Sequence, residues 1–399
     1  MQSIKDIYVI GHGPSSSHTM GPAFASKYII DKYVDIKEVE VVLYGSLALT
    51  GKGHLTDYII EKTFNEHKIP VKIFFNYTKE VNHPNTMEFL IKTSNGEFKE
   101  EIVSLGGGTI LTKDSCFFRN EIYEFSTLTD ILRYIKKRNM SIYEYALSIE
   151  GDSIISYLKD VLNTMDKCVE DGLNKEGVLP GKLKVKRKAK EIYEKSLKEG
   201  NPFIKEQLFI MSHAYAASEE NAAGGVVSTA PTCGSCGVIP GVIAYLRKNS
   251  VSNERIIESL LVGGLIGKIV KTNASVSGAV AGCQAEIGTA TAMGAAMIMH
   301  AFHLSNENIA QASEIALEHS LGLTCDPIQG YVQIPCIERN AIFALKAINS
   351  ASLAMSISSK ASKINFDQIV HTMYETGIDL QKGYRETSEK GMSKIKITK

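Results

Sequence analysis

Up to about residue 110 the chain alternates apolar and polar positions with a period near two, and turn residues interrupt the runs. EVEVVLYGSLAL, VKIFFNY and TMEFLIKTSNGEFKEEIVSL read as strands, and Ser94-Asn95-Gly96 has the chemistry of a hairpin turn. HTMGPAFASKYIIDKYV instead spaces its apolar residues as a helix does, and Ser15, Ser16 or Ser17 could cap its start. A small α+β domain over residues 1–125 is the expectation. Beyond residue 126 helical periods follow one another, as in STLTDILRYIKK, SIYEYALSI and DSIISYLKDVLNTMDKCVEDGL, which predicts an all-helical domain over 126–399.

Two segments of that second domain depart from an ordinary helical pattern. GVLPGKLKVKRKAKEIYEKS is basic and reads as a solvated connector leading into a polar helix. From Ala230 to Ala296 the chain is dense in Gly, Ala, Ser and Thr, which predicts closely packed helices with room for polar loops between them.

Forty-four basic and 44 acidic residues balance, so no global field draws nucleic acid or an anionic membrane, and a small-molecule partner is expected. The start MQSIKDIYVIGHG lacks the basic opening and long apolar core of a signal peptide, and no apolar run approaches spanning length. A cytoplasmic location is the expectation. In a reducing compartment seven cysteines read as buried thiols or metal ligands before disulfides.

Cys283, Cys325 and Cys336 each adjoin a helix breaker, namely Gly282, Pro327 and Pro335. Thiols at helix ends or loops can be stabilised as thiolates, but separations of 42 and 11 residues match no compact metal run, and spacing alone leaves them as buried structural thiols. Cys233 and Cys236 form a C-x-x-C without a second pair or a preceding redox fold, so they read as a loop entering the helix GVIPGVIAYLRK. His18, His54 and His83 lie in polar contexts near Gly or Pro. With Ser16, Ser17, Lys52 and Asn85 they could supply donors for a substrate carboxylate and a base that titrates near neutrality. KTNASVSG places Lys271, Asn273, Ser275 and Ser277 in one polar patch, which reads equally as part of a site or as a capped, solvated helix start. SLGGGT follows a strand with no βαβ succession, so it reads as a tight turn rather than a pyridoxal-phosphate loop.

Taken together, GPSSSHTxGPA, YGSLALTGKGHLTD, HPNT, SxGGG, EGVLPGKL, EENAAGG, APTxGxCGxIP, KTNASxSGAxxGCQxExG, EHxLGLTCDPxxGxVQxPCIERNA and MYETGxxxxxxYRETS resemble iron-sulfur-dependent L-serine dehydratases, in the form with both domains on one chain. The resemblance runs nearly end to end. It implies a 4Fe-4S cluster in place of pyridoxal phosphate, held by Cys283, Cys325 and Cys336, and a lyase that converts L-serine to pyruvate and ammonia, usually as a homodimer. It also implies that His18, His54 and His83 are active-site histidines, and that Ser16, Ser17, Asn85, Lys271, Asn273 and Ser275 face the same pocket. The alternatives are a related cluster lyase acting on another small amino or hydroxy acid, a non-catalytic homologue, or a zinc or dithiol protein using Cys233 and Cys236.

Three departures from the family pattern stand out: no cysteine follows Cys336, the first domain is shorter between HPNT and GGG, and Val226 stands where a basic residue is common. The basic end KGMSKIKITK is expected to be solvated, away from the cluster.

Overall fold

The computed structural model describes residues 1–112, 121–358 and 362–396. Its N-terminal region holds β1 (Ile10–His12), α1 (Gly21–Lys32), β2 (Ile36–Tyr44), α2 (Gly45–Thr50), α3 (Thr56–Glu66), β3 (Val71–Asn76), β4 (Thr86–Thr93), β5 (Gly96–Gly106) and β6 (Thr109–Thr112). Strands β2 to β6 form one sheet in the order β3-β2-β4-β5-β6. Only β2 and β3 run parallel, because α2 and α3 carry the chain across between them. The hairpin falls where the Ser94-Asn95 turn predicts, with Thr93 opposite Gly96. Alternate residues Val39, Val41 and Leu43 of β2 and Met87, Phe89 and Ile91 of β4 are buried with Ala25 and Ile29 of α1 and Ile60 and Phe64 of α3. The α+β expectation is met.

One expected strand ends early. GSLAL is helical, since Gly45 takes φ +54° and the Ser46 amide donates to the Pro84 carbonyl at 2.7 Å, which turns the chain out of the sheet.

The remainder is largely helical: α4 (Leu128–Arg138), α5 (Ile142–Glu150), α6 (Ser153–Asn174), α7 (Ala189–Lys198), α8 (Pro202–Ala222), the short β7 (Val226–Ser228), α9 (Val238–Lys248), α10 (Asn253–Asn273), α11 (Gly278–Ala281), α12 (Thr289–Ala301), α13 (Asn306–Glu318), α14 (Cys336–Ser356) and α15 (Phe366–Asp379). Among the described residues no helix is long and apolar enough to cross a membrane. Side-chain caps at Thr127 and Ser141 begin α4 and α5 where the periodicity places them. The small-residue stretch packs as expected: a Cβ on Gly263 or Gly267 would come within 2.8 Å of Met297 or Met293, so α10 and α12 touch nearly backbone to side chain.

The basic connector is not wholly solvated, since Leu179 and Leu183 are buried. Arg187 is drawn inward to Glu220 at 2.7 Å, with its side chain 8% exposed, rather than solvated.

Two features join the regions, and the periodicity of the sequence shows neither. Met1, Ile4, Ile7 and Tyr8 lie in the helical core, where Asp6 pairs with Lys268 of α10 at 2.9 Å. Just beyond, β1 pairs antiparallel with β7. The loop after β1 is thereby fixed against the helical region, and that loop carries Ser15 to His18.

Candidate functional site

Ser15 begins a single π turn, Ser16–Met20, by accepting from the His18 amide; this is the cap expected within the serine run. The turn buries His18 completely. Ser17 Oγ lies 2.8 Å from its Nδ1 and Ser46 Oγ 2.9 Å from its Nε2, so both ring nitrogens are engaged. His54 follows α2 in a tight turn that is held when its carbonyl accepts from Thr19 Oγ1 at 2.7 Å. Its ring meets that of His18 edge to face, 4.5 Å between centroids. Neither ring nitrogen of His54 makes a well-formed hydrogen bond to a described residue, although the Gly330 carbonyl lies near enough to favour its protonation.

Burial, and then the neighbouring His54, hold His18 well below the usual imidazole range. Burial lowers His54 to about 4. Both rings are therefore neutral near pH 7 and able to accept a proton.

The second half of the site lies across from these rings. Cys283 sits between α11 and the π turn Gln284–Gly288, Cys325 in the loop after α13, and Cys336 in the first turn of α14. Each adjoins the break expected from its breaker residue, and Gly282 takes φ +75° to make the first of them. Cys283 and Cys325 share one buried cluster with Val238, Ile287 and Ala290. A hydrogen bond from Cys325 lowers the Cys283 thiol to about 6 against the opposing effect of burial, helped by the Arg339 guanidinium and the Ile287 amide. Cys325 and Cys336 are pushed up, Cys325 mainly by that hydrogen bond and Cys336 by burial.

Gly278 closes the wall, since a Cβ there would lie 2.8 Å from Cys325 Sγ and 2.7 Å from Glu286 Oε2. Three thiols thus converge, two of them at the start of helical turns, where backbone amides stabilise negative sulfur. They are not clustered tightly enough for one ion: among the described residues only His18, His54 and Glu386 bring three potential ligand atoms within 4.8 Å of one another. A tetrahedral zinc with Zn–S of about 2.3 Å would need sulfurs closer than about 4 Å.

Glu386 connects the halves. Its Oε1 is 4.0 Å from His18 Nδ1, its amide donates to the Cys325 carbonyl, and burial followed by Cys283 raises its carboxyl to about 7. Glu286 lines the thiol side, accepting from Thr232 Oγ1 at 2.8 Å. A cleft of about 680 Å³, lined by Tyr77, Lys79 and Pro84 and by Val280, Lys382 and Arg385, is also lined by Ser46, the residue bonded to His18 Nε2. A groove of similar volume over Met165, Phe209 and Ile243 is mostly apolar and holds none of these groups.

The other expected residues have the following surroundings. Asn85 is buried, donates to the Ser104 carbonyl at 3.3 Å and leaves its Oδ1 without a hydrogen bond among the described residues. His83, half-buried on the same loop, accepts from the Asn85 amide at 3.1 Å. Ser16 is buried in the His18 turn, whereas Lys52 is exposed, its ammonium over Phe75. KTNASVSG spans the end of α10 and the start of α11, where Ser277 takes the N-cap position without a side-chain cap bond. There Lys271 pairs with Asp6 at 3.2 Å beside Gly107, Asn273 donates to the Ser126 and Ile269 carbonyls, and Ser275 Oγ accepts from the Ser277 amide. Cys233 and Cys236 lie instead with Cys168 and Met20 in a separate apolar cluster, where burial raises the thiols of the pair well above their ordinary range.

Residues that sequence reasoning passed over complete the chamber: Ser46, Glu286, Arg339 and Glu386. They stand inside the blocks YGSLAL, CQAEIG, CIERN and YRETS; for Glu286 and Arg339 a charged residue beside a candidate thiol was the available signal, whereas Ser46 and Glu386 carried none. The C-terminal segment also differs from the expected solvated tail. The Met392 amide donates to Asp326 Oδ2 at 2.7 Å and Ser393 is buried, so this stretch packs beside Cys325, while Lys394 and Ile395 are exposed.

The family model of the serine dehydratase beta chain matches residues 3–70 and that of the alpha chain residues 79–393. The chain is 36% identical to L-serine dehydratase of Haemophilus influenzae, over 100% of this chain and 99% of that protein. It is 38% identical to L-serine dehydratase 1 of Escherichia coli over 100% and 99%, and 38% identical to L-serine dehydratase of Helicobacter pylori over 98% and 98%. The aligned spans of 453 to 457 residues exceed the 399 of this chain, so the alignments contain gaps in it.

Proposed function

This chain belongs to the L-serine dehydratase family, with beta-type and alpha-type units on one polypeptide, and on that premise we propose that it converts L-serine to pyruvate and ammonia at the chamber between His18, His54 and the three cysteines. The observation that carries this reading is the juxtaposition of a neutral, buried histidine pair with a nest of thiols, Glu386 reaching both. β-Elimination from serine needs a base for the α-proton and an acceptor for the hydroxyl, and the two halves offer one each.

Cys283, Cys325 and Cys336, three thiols that influence one another, would hold the 4Fe-4S cluster that the family resemblance implies. Bound there, the cluster supplies a Lewis-acidic iron for the leaving oxygen.

The chain's own residues do the rest. His54 is the better-placed proton acceptor, because its ring nitrogens are not engaged as those of His18 are by Ser17 and Ser46. His18 orders the pair through its edge-to-face contact, and His83 lies on the loop that supports the cleft. Ser16, Ser17 and Asn85 offer donors to a substrate carboxylate, and the unsatisfied Asn85 Oδ1 can accept from an ammonium group. The family resemblance also assigns Lys271, Asn273 and Ser275 to the pocket, and Lys271 is oriented by Asp6.

The test is anaerobic reconstitution with iron and sulfide followed by a 2-oxo acid assay over L-serine, L-threonine and L-cysteine. Pyruvate formation from L-serine that depends on bound iron is expected. Iron-loaded protein inactive on all three would reject the assignment.

A further inference from the structure

Glu386 belongs to no helix or strand, yet it is among the most constrained residues of the site. Its amide donates to the Cys325 carbonyl at 2.6 Å, and Ser46 Oγ donates to its own carbonyl at 3.3 Å. One residue thus ties the cysteine loop to the turn that holds His18. Its φ is +56°, in the left-handed region that glutamate seldom adopts. Such strain persists only where the surroundings impose it, and functional sites are where it collects. The consequence is an inward side chain, 12% exposed, with Oε1 4.0 Å from His18 Nδ1.

On its other side the segment is seated on the cysteine loop, since Arg385 forms a backbone bridge with Cys325 and the Cys325 amide donates to the Tyr384 carbonyl at 2.9 Å. Three cysteine ligands leave one iron of a four-iron cluster without a thiolate, and residues 337–399 contain no further cysteine. Carboxylate oxygen is a ligand that iron accepts.

We propose that Glu386 is the protein's oxygen ligand to the iron that Cys283, Cys325 and Cys336 leave unligated, held there by its carboxylate when no substrate is bound. The proposal rests on the cluster reading above. An oxygen ligand binds iron less firmly than a thiolate does, so the same iron stays open to exchange with a substrate hydroxyl.

The experiment uses the full chain reconstituted anaerobically with ⁵⁷Fe and sulfide, as wild type, Glu386→Gln and Glu386→Cys, each analysed for iron and sulfide and by Mössbauer spectroscopy without substrate. In the wild type one iron should be distinct and oxygen-ligated. Glu386→Gln should still assemble the cluster but shift the signal of that iron, and on brief exposure to air should pass to the three-iron form several-fold faster. Glu386→Cys should make the four irons alike, and it decides the matter should Glu386→Gln fail to assemble. Normal iron content with a unique-iron signal unchanged in both variants would overturn the ligand assignment and leave the cluster reading standing. Absence of iron and sulfide from the wild type would overturn both.

Discussion

Removing the carboxylate of Asp6 tests whether the N-terminal segment is locked into the helical region as the structure indicates. Asp6 is 2% exposed; its Oδ2 lies 2.9 Å from Lys268 Nζ and 3.2 Å from Lys271 Nζ, whose side chains are 4% and 18% exposed. In Asp6→Ala the ammonium of Lys271 can turn toward water, but that of Lys268 is stranded. Breaking a buried pair from one side costs about 3–5 kcal/mol, because the remaining charge is left uncompensated. With a urea dependence of about 3 kcal/mol per molar, the unfolding midpoint should fall by about 1–1.7 M.

The double variant Asp6→Ala/Lys268→Met removes both charges and should recover much of that loss, which a double-mutant cycle measures. Burial alone would raise the Asp6 carboxyl, but Lys271 and Lys268 together hold it below the usual carboxylate range. A depressed folded value means that the stabilisation is complete above the unfolded value of about 3.9 and disappears as pH falls through the folded one. The gap between wild type and Asp6→Ala should therefore be constant near pH 7 and shrink only in strong acid. A midpoint shift of only a few tenths molar, or a double variant as unstable as the sum of its parts, would refute the reasoning.

Three shorter expectations follow from the site. Gly278→Ala should destabilise the protein by about 1–3 kcal/mol through overpacking and lower its iron retention, since the new methyl meets Cys325 and Glu286; iron analysis and thermal unfolding check both. His54→Ala should keep its iron while turnover of L-serine falls by about 100- to 10,000-fold, the usual value of a positioned proton-transfer group. Ending the chain after Lys390 should reduce iron retention by removing the Met392 contact to Asp326 beside Cys325, whereas ending it after Ile395 should change neither iron content nor spectrum.

How much of this was legible in the sequence depended on whether the cause was local. The β4–β5 hairpin could be read because its two turn residues dictate the geometry, and α4 and α5 because their caps and apolar stripes lie within a few residues of each other. GSLAL was misread because its apolar spacing fits a strand, and only the Pro84 carbonyl, nearly forty residues away, turns it into a helix. The KTNASVSG patch has the composition of either helix end and serves as both, closing α10 and leading into α11, so the expected helix start is present but short. The N-terminal octad is too short to show a period, and its membership of the helical core rests on Asp6 finding Lys268, 262 positions away. The same holds at the site. His18 and the cysteines were visible as residue types, but Glu386 acquires its meaning only when the segment 384–393 is laid against the Cys325 loop.

The most direct measurement is the iron and acid-labile sulfide content, with Mössbauer spectra, of anaerobically reconstituted wild type set beside Cys283→Ala, Cys325→Ala, Cys336→Ala and a Cys233→Ala/Cys236→Ala control. Four irons and four sulfides per chain in the wild type and control, and a lost or broken cluster in each of the other three, is the predicted result. Full iron and sulfide in Cys283→Ala, or their loss in the control alone, would contradict it.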